Sequence, residues 1–458
     1  AEEGKPNGTF LIEKPASNPN YKANVEMFAK SFDGNRNKTY ATWQYFGSPV
    51  KAANRDQLPL ESTWVRKYNR TLNVPNSDEK WEDVTTGTLT QGEAYEITQP
   101  KPANYRFIGE LNTGDFTFNV NGMASATNYQ DMNILANPYT GAMNIEKLDF
   151  SGATAADKVV YLFNTGSRKD WIANNGANAT INTGVTEGQY TKAIPANLAG
   201  YVNGMPKDIP SLSSFMVKST GAGTLKYRYA DLVNVVATEN RAPERRFHSL
   251  AVDVESAKSA DRLWLVQAEG TTDRYDNGWD GEKIFAPGET ALYAMQDRSY
   301  QVTTTETIGE TKLGFVPAEG EQNYKLTFHI DGADGAQEYT LLDKRTGLTR
   351  AIHDGDTYEF TAAQGDAAHR FTILGNGAKA TADQRGFQIS ADLRRNFTVK
   401  NFTDEPAEAL VFDAAGKIQA RFKVEAGSEN TGTVVMPGAY VVRVSNKVTT
   451  LTQRFVMP

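Results

Sequence analysis

The chain has no cysteine and only four histidines in 458 residues. The first absence removes disulfides, zinc–thiolate sites and thiol nucleophiles together. The second leaves little for a metalloenzyme. His248, His329, His353 and His369 form no close pair and no H-E-x-x-H motif occurs. No apolar run reaches the roughly 18 residues of a membrane helix. Basic charge is also in short supply: the formal net charge is −7, which argues against a nucleic-acid partner and against a polybasic membrane patch. There is no G-x-S-x-G elbow to nominate a serine nucleophile and no glycine-rich phosphate loop before a helix. With 55 acidic residues, some pair of carboxylates will fall at a hydrolase spacing, so the count carries no information. The N-terminal Ala1-Glu2-Glu3-Gly4-Lys5 reads as a mature terminus from which a targeting segment has been removed.

Helical periodicity is nearly absent as well. What recurs is short alternation of β-formers, cut by Gly, Asn, Asp and Pro every eight to twelve residues or so. Asp115 to Val120, Tyr324 to Ile330 and Ala439 to Val444 each offer one face to bury and one to wet. Short helical turns are expected near Glu146 to Leu148 and Asp208 to Leu212. The expected class is all-β and multidomain: a duplicated β unit, a β-sandwich and a C-terminal Ig-like β-sandwich.

The duplication rests on four ordered correspondences. Trp43 to Val50 aligns with Met132 to Tyr139, both ending in Ser/Asn-Pro, where proline stops strand pairing. Trp64 to Asn69 aligns with Val159 to Asn164, Trp81 to Val84 with Trp171 to Asn174, and Leu89 to Ile97 with Ile209 to Val217. The second copy carries an insertion around Thr183 to Met205. The expected domains are an N-terminal extension at 1–36 and a duplicated domain at 37–238, with copies at about 37–125 and 126–238. A sandwich follows at 247–375 and a C-terminal sandwich at 381–458. The polar stretch 239–246 and the turn-rich stretch 375–380 are the boundaries.

Three sets of residues are candidate sites. Asp273, Asp276, Asn277, Asp280 and Glu282 supply hard oxygens in a glycine-permitted loop, which suits calcium, although Asp and Asn-Gly are also what a plain β-turn prefers. Trp171, Tyr190 and Tyr201, around the insertion, form a candidate ligand surface for glycan or protein. The other tryptophans of the repeat read as core fillers. His353 beside Asp354 and Asp356 reads as a hydrophilic turn. Six N-x-S/T sequons, at Asn7, Asn37, Asn69, Asn178, Asn396 and Asn401, are the expectation of chance in so Asn- and Thr-rich a chain, with glycosylation as the alternative.

Most of the chain, from about residue 40 to the end, resembles a known arrangement. Trp43 to Val50, Ile134 to Tyr139 and Ser214 to Lys218 look like repeated units near the C-termini of large Bacteroidetes surface proteins, many of which lack cysteine. Asp276 to Lys283, Ala291 to Ala294, Leu313 to Phe315 and Tyr339 to Lys344 through Phe371 are similar to the β-sandwich that commonly follows. Val411 to Lys417, Met436 to Val442 and a last strand resemble the sorting domain of type IX secretion substrates. The resemblance implies a cell-surface or secreted location, export across the outer membrane, and the type IX machinery as partner. It says nothing specific about what the exported part binds, and no cofactor is expected beyond the calcium considered above. The turn Pro437-Gly438-Ala439-Tyr440 and an exposed sheet edge are where strand addition to that partner is expected. A non-enzymatic surface protein, a stalk and anchor, is the preferred reading. An adhesin or glycan-binding module is the alternative, and a hydrolase the third.

Overall fold

The computed structural model of the chain describes residues 8–13, 15, 20–31, 42–74, 77–122, 131–165, 190–200, 202, 204–234, 247–332, 338–375, 386–392, 394–403, 405–447 and 450–457. Among them strands and turns predominate, and no helix is long and apolar enough to cross a membrane.

In the first unit, Gln44–Phe46, Tyr95–Thr98, Trp64–Tyr68 and Trp81–Asp83 form a four-stranded sheet in that spatial order. In the second, Met132–Ala136, Ser214–Lys218, Val160–Phe163 and Tyr190–Ala193 form another. Both sheets visit their strands in the same chain order: first, fourth, second, third. Both units also place a 3-10 turn capped by an asparagine after the first sheet strand: Asn54 accepts from the Asp56 N–H, and Asn144 from the Glu146 N–H. Trp171 to Asn174 lies outside the described residues, and the position beside Val160–Phe163 is taken by Tyr190–Ala193 instead.

Two boundaries need correcting. Residues 1–36 are not all extension, because Lys22–Ala29 pairs along its whole length with Ala103–Leu111. Its alternating Val25, Met27 and Ala29 face the first core, where Met27 and Ala29 are fully buried. The division between copies does not fall at 125, since Phe116–Val120 pairs with Gly223–Tyr227 of the second unit. The helical turn expected at Asp208 to Leu212 is also corrected. Asp208–Ile209 is a short strand, and the short helix is Pro195–Ala199, opened by proline at its first position.

The two units meet backbone to backbone. Ala136 N–H donates to Gly92 O at 3.0 Å, and the Ser214 hydroxyl donates to Phe46 O at 2.9 Å. Gly47 is required there: a Cβ on it would lie 2.3 Å from the Ala136 Cβ.

Residues 248–375 build one eleven-stranded sheet that closes over its own apolar face. Its first two strands, His248–Glu255 and Ala260–Gln267, are central. Ala260–Gln267 runs parallel to Ser299–Thr305, the only parallel pair among the described strands. The C-terminal module is a sandwich of a three-stranded sheet (Phe387–Ala391, Asn396–Asn401, Glu429–Thr433) and a four-stranded one. The latter runs in the order Ile418–Val424, Ala407–Asp413, Gly438–Ser445, Thr450–Met457. Its core, with Phe397, Val399, Val411, Val442 and Val444 fully buried, is separate from the others. Asn401 belongs to that interior: its amide donates to the carbonyls of Glu405, Val424 and Glu425. It is buried, so this sequon is a structural asparagine with no room for a glycan.

Candidate functional site

The second unit and the sandwich share a core. Trp264, Val266, Ala251 and Val302, on sandwich strands, pack with Ile134, Tyr161, Ile194 and Phe215 of the second unit. Around this apolar contact runs a ring of polar and charged side chains that closes the joint.

At its centre Lys283 and Asp261 form a buried ion pair at 2.6 Å, 1% and 0% exposed. The second oxygen of Asp261 accepts from the Gln301 amide at 3.2 Å, and Leu292 N–H donates to the first at 2.7 Å. The Lys192 ammonium, reaching across from the second unit, donates to the Gln301 carbonyl oxygen. Burial pushes the Lys192 ammonium well down from the usual lysine range, and the neighbouring Lys283 cation adds to the effect. Arg370 and Asp343, 7% and 0% exposed, tie the far end of the sandwich in the same manner at 2.8 Å.

At the rim, Lys218 bridges Asp131 at 3.2 Å and Glu282 at 3.1 Å, and Arg298 holds Glu282 at 2.6 Å. Burial lowers the Lys218 affinity for its proton, but the two carboxylates outweigh it and hold the group above its ordinary range. The Tyr275 hydroxyl donates to Asp157 at 2.7 Å, and Arg298 lies 4.2 Å over the Tyr275 ring.

The loop expected to hold calcium lies in this ring. Asn277 accepts from Lys158 N–H at 2.9 Å and donates to Ala156 O at 3.1 Å. Asp276 caps Thr272 N–H at 2.6 Å. Asp280 accepts from Asp276 N–H and Thr304 N–H, both at 2.7 Å. Glu282 belongs to the rim pairs, and Asp273 is exposed. Four of the five side chains thus point to different protein partners. Among the described residues no three His, Cys, Asp or Glu side chains converge on a common point as ligands would. The arrangement fits a docking loop, and Gly278, at φ +94° beside the Lys158 side chain, supplies the backbone conformation the loop needs.

Asp280 is fully buried, and burial, its largest cause, raises its pKa from 3.8 to about 7. The folded form therefore holds the proton more tightly than the unfolded chain does. Its contribution to stability is fully present below about pH 4 and is lost as the pH rises through 7. Thermal unfolding between pH 4 and 8 is expected to show this fall in wild type and a flatter profile in Asp280→Asn. An unchanged profile in the variant would count against Asp280 as the source.

Tyr190 is not on an open surface. It stands between Phe163 (5.3 Å between centroids) and Tyr45, whose hydroxyl lies 3.2 Å from its own. Tyr45 in turn stacks on Phe163 at 4.3 Å and meets Trp81 at 5.1 Å. These rings are mortar between the two units. Trp171 and Tyr201 lie outside the described residues. An open groove of about 530 Å³ between the units is lined by Lys67, Arg70, Glu82, Glu93, Asn119 and Asn121. Its cations are already answered, since Glu93 holds Arg70 at 2.8 Å and Lys67 at 3.5 Å.

Pro437-Gly438-Ala439-Tyr440 opens the strand Gly438–Ser445. The Tyr440 hydroxyl donates to Met436 O at 2.6 Å and the ring packs 5.8 Å from Phe397, which anchors the turn. The last strand, Thr450–Met457, is an edge. Sequence reasoning missed the buried pair Lys283–Asp261 and the rim pair Lys218–Asp131, whose members carry no local signature.

The model of a domain of unknown function, DUF8693, matches residues 4–374. The minor fimbrium subunit Mfa5 of Porphyromonas gingivalis is 31% identical over an alignment of 481 residues that takes in 100% of this chain and 38% of that protein. The chain thus spans well under half the length of that relative. A solved structure of a biofilm-associated protein's BSP domain aligns over 100% of this chain and 99% of its own, at 9% identity and a TM-score of 0.14. With a family model covering all three joined units, the chain belongs to the DUF8693 family.

Proposed function

We propose that this chain is a non-enzymatic structural segment of a fimbrial or related surface protein, located at the cell surface or outside the cell, and that its C-terminal sandwich is the sorting module read by the type IX secretion machinery. The observation that carries the structural role is the joint between the second unit and the sandwich. The charged and polar side chains there hold protein to protein across a shared apolar core. Such a joint suits a part that must keep its shape under load. The 31% identity to a fimbrium subunit along the entire chain supports the same role.

The sorting role is supported by a compact sandwich with its own core, by an edge strand at Thr450–Met457 ready for main-chain pairing, and by the resemblance of Val411 to Lys417 and Met436 to Val442 to sorting domains. Its test is to fractionate cells making the full chain and a chain ending at Gly375, with intact-mass measurement of what lies outside. The full chain is expected at the surface or in the medium and the shortened one in the periplasm. Equal export of both would overturn the sorting role and leave the structural one standing.

A further inference from the structure

The solvent face of the C-terminal four-stranded sheet is built unlike the rest of the surface. Register fixes which side chains share it. Glu408, Leu410 and Phe412 on one strand are opposite Lys423, Arg421 and Ile418 on one side and Ser445, Arg443 and Val441 on the other. The last strand adds Thr450, Thr452, Arg454 and Val456, with Val456 opposite Ala439. The alternate residues, among them Ala409, Val411, Val442 and Val444, point into the core.

Two properties set this face apart. It carries the cations Arg421, Lys423, Arg443 and Arg454 against the single carboxylate Glu408, a surplus of three positive charges on a chain whose net charge is −7. Among the described residues Glu408 pairs with Arg421, at 3.6 Å. The face is also apolar at one end. Ile418 is 43% exposed and Val456 84%, beside half-buried Phe412 and Val441, and Met436, 67% exposed, precedes the strand at that same end. A sheet normally keeps such residues off its wetted side.

We infer that this face docks on an anionic lipid surface. Charge complementarity selects the occupant: flanking guanidinium and ammonium groups meet phosphates, while the apolar end enters the interfacial layer, as amphipathic surface-binding elements do.

The test is co-sedimentation of the full chain with phosphatidylcholine vesicles made with and without phosphatidylglycerol. Binding is expected only with the anionic lipid and is expected to weaken with salt. Each cation near the surface is worth about a fivefold factor, so Arg443→Gln with Arg454→Gln should cost roughly 30-fold. Both side chains are exposed, so the fold is kept. Met436→Ser with Val456→Ser, which leaves the charge intact, should also weaken binding. A control pair of exposed cations elsewhere, Lys101→Gln with Lys226→Gln, should leave it unchanged. No binding at low salt, equal binding to both vesicles, or equal loss in the control would overturn the inference. So would indifference to the Met436 and Val456 changes, because the face would then be reading negative charge alone.

Discussion

Asp261→Ala is expected to lower the stability of the 247–375 sandwich by about 3–5 kcal/mol, the usual cost of stripping one partner from a buried ion pair. The loss has three parts. Lys283 is left as an uncompensated charge at 1% exposure, the Leu292 N–H loses its acceptor, and Gln301 loses the anchor that orients it toward Lys192. Replacing both members, Asp261→Leu with Lys283→Met, should recover much of the loss, because the desolvation cost of two charges disappears with them. Guanidinium unfolding of the full chain, with hydrogen exchange in Ala260–Gln267 reporting the sandwich, measures both. A single-variant loss below about 1 kcal/mol, or a double variant as weak as the single, would show that the pair is not what holds this part of the interior.

Trp264→Ala should cost a similar amount, about 3–5 kcal/mol, but its reach should differ. The indole sits on a sandwich strand yet packs in the second unit's core, with the Arg262 guanidinium 5.7 Å from its ring. Truncating it opens a cavity in a core shared by both bodies. Amide exchange is therefore expected to accelerate in Met132–Ala136 and Val160–Phe163 as well as in Ala260–Gln267. Leu341→Ala, in the sandwich's own core, serves as the comparison: a similar destabilisation with the second unit's exchange unchanged. If Trp264→Ala also leaves the second unit unchanged, the shared core does not couple the two.

Much of this architecture could be read directly from residue order. Alternation placed strands at Asp115 to Val120, Tyr324 to Ile330 and Ala439 to Val444. The structure has them at Phe116–Val120, Asn323–Asp331 and Gly438–Ser445, because period-two burial is a local property. Lys22–Ala29 carries the same signal at Val25, Met27 and Ala29, and was within reach of the same reasoning. The apolar run Val434 to Met436 follows a strand rather than forming one: Glu429–Thr433 pairs with Asn396–Asn401, and Val435 and Met436 are left exposed. The joint was beyond reach for a different reason. Lys192 meets Gln301 across 109 positions and Lys218 meets Glu282 across 64, and a lone lysine in a strand looks the same whether it faces water or a buried carboxylate. In the loop Asp273 to Glu282, Asn277 and Glu282 have partners in the second unit, whereas Asp276 and Asp280 bond within the sandwich itself.

A core assembled from two stretches of one chain also imposes an order of events during synthesis. The second unit's sheets can pair once Lys218 and Tyr227 have been made, but Trp264, Val266 and Val302, which finish its interior, emerge later. At about 5–20 residues per second, the apolar side of that unit stays uncovered for several seconds while the next stretch of chain is made. During that interval the nascent chain presents Ile134, Tyr161, Ile194 and Phe215 to its surroundings, and this is the stage at which a holding chaperone has the most to gain by binding.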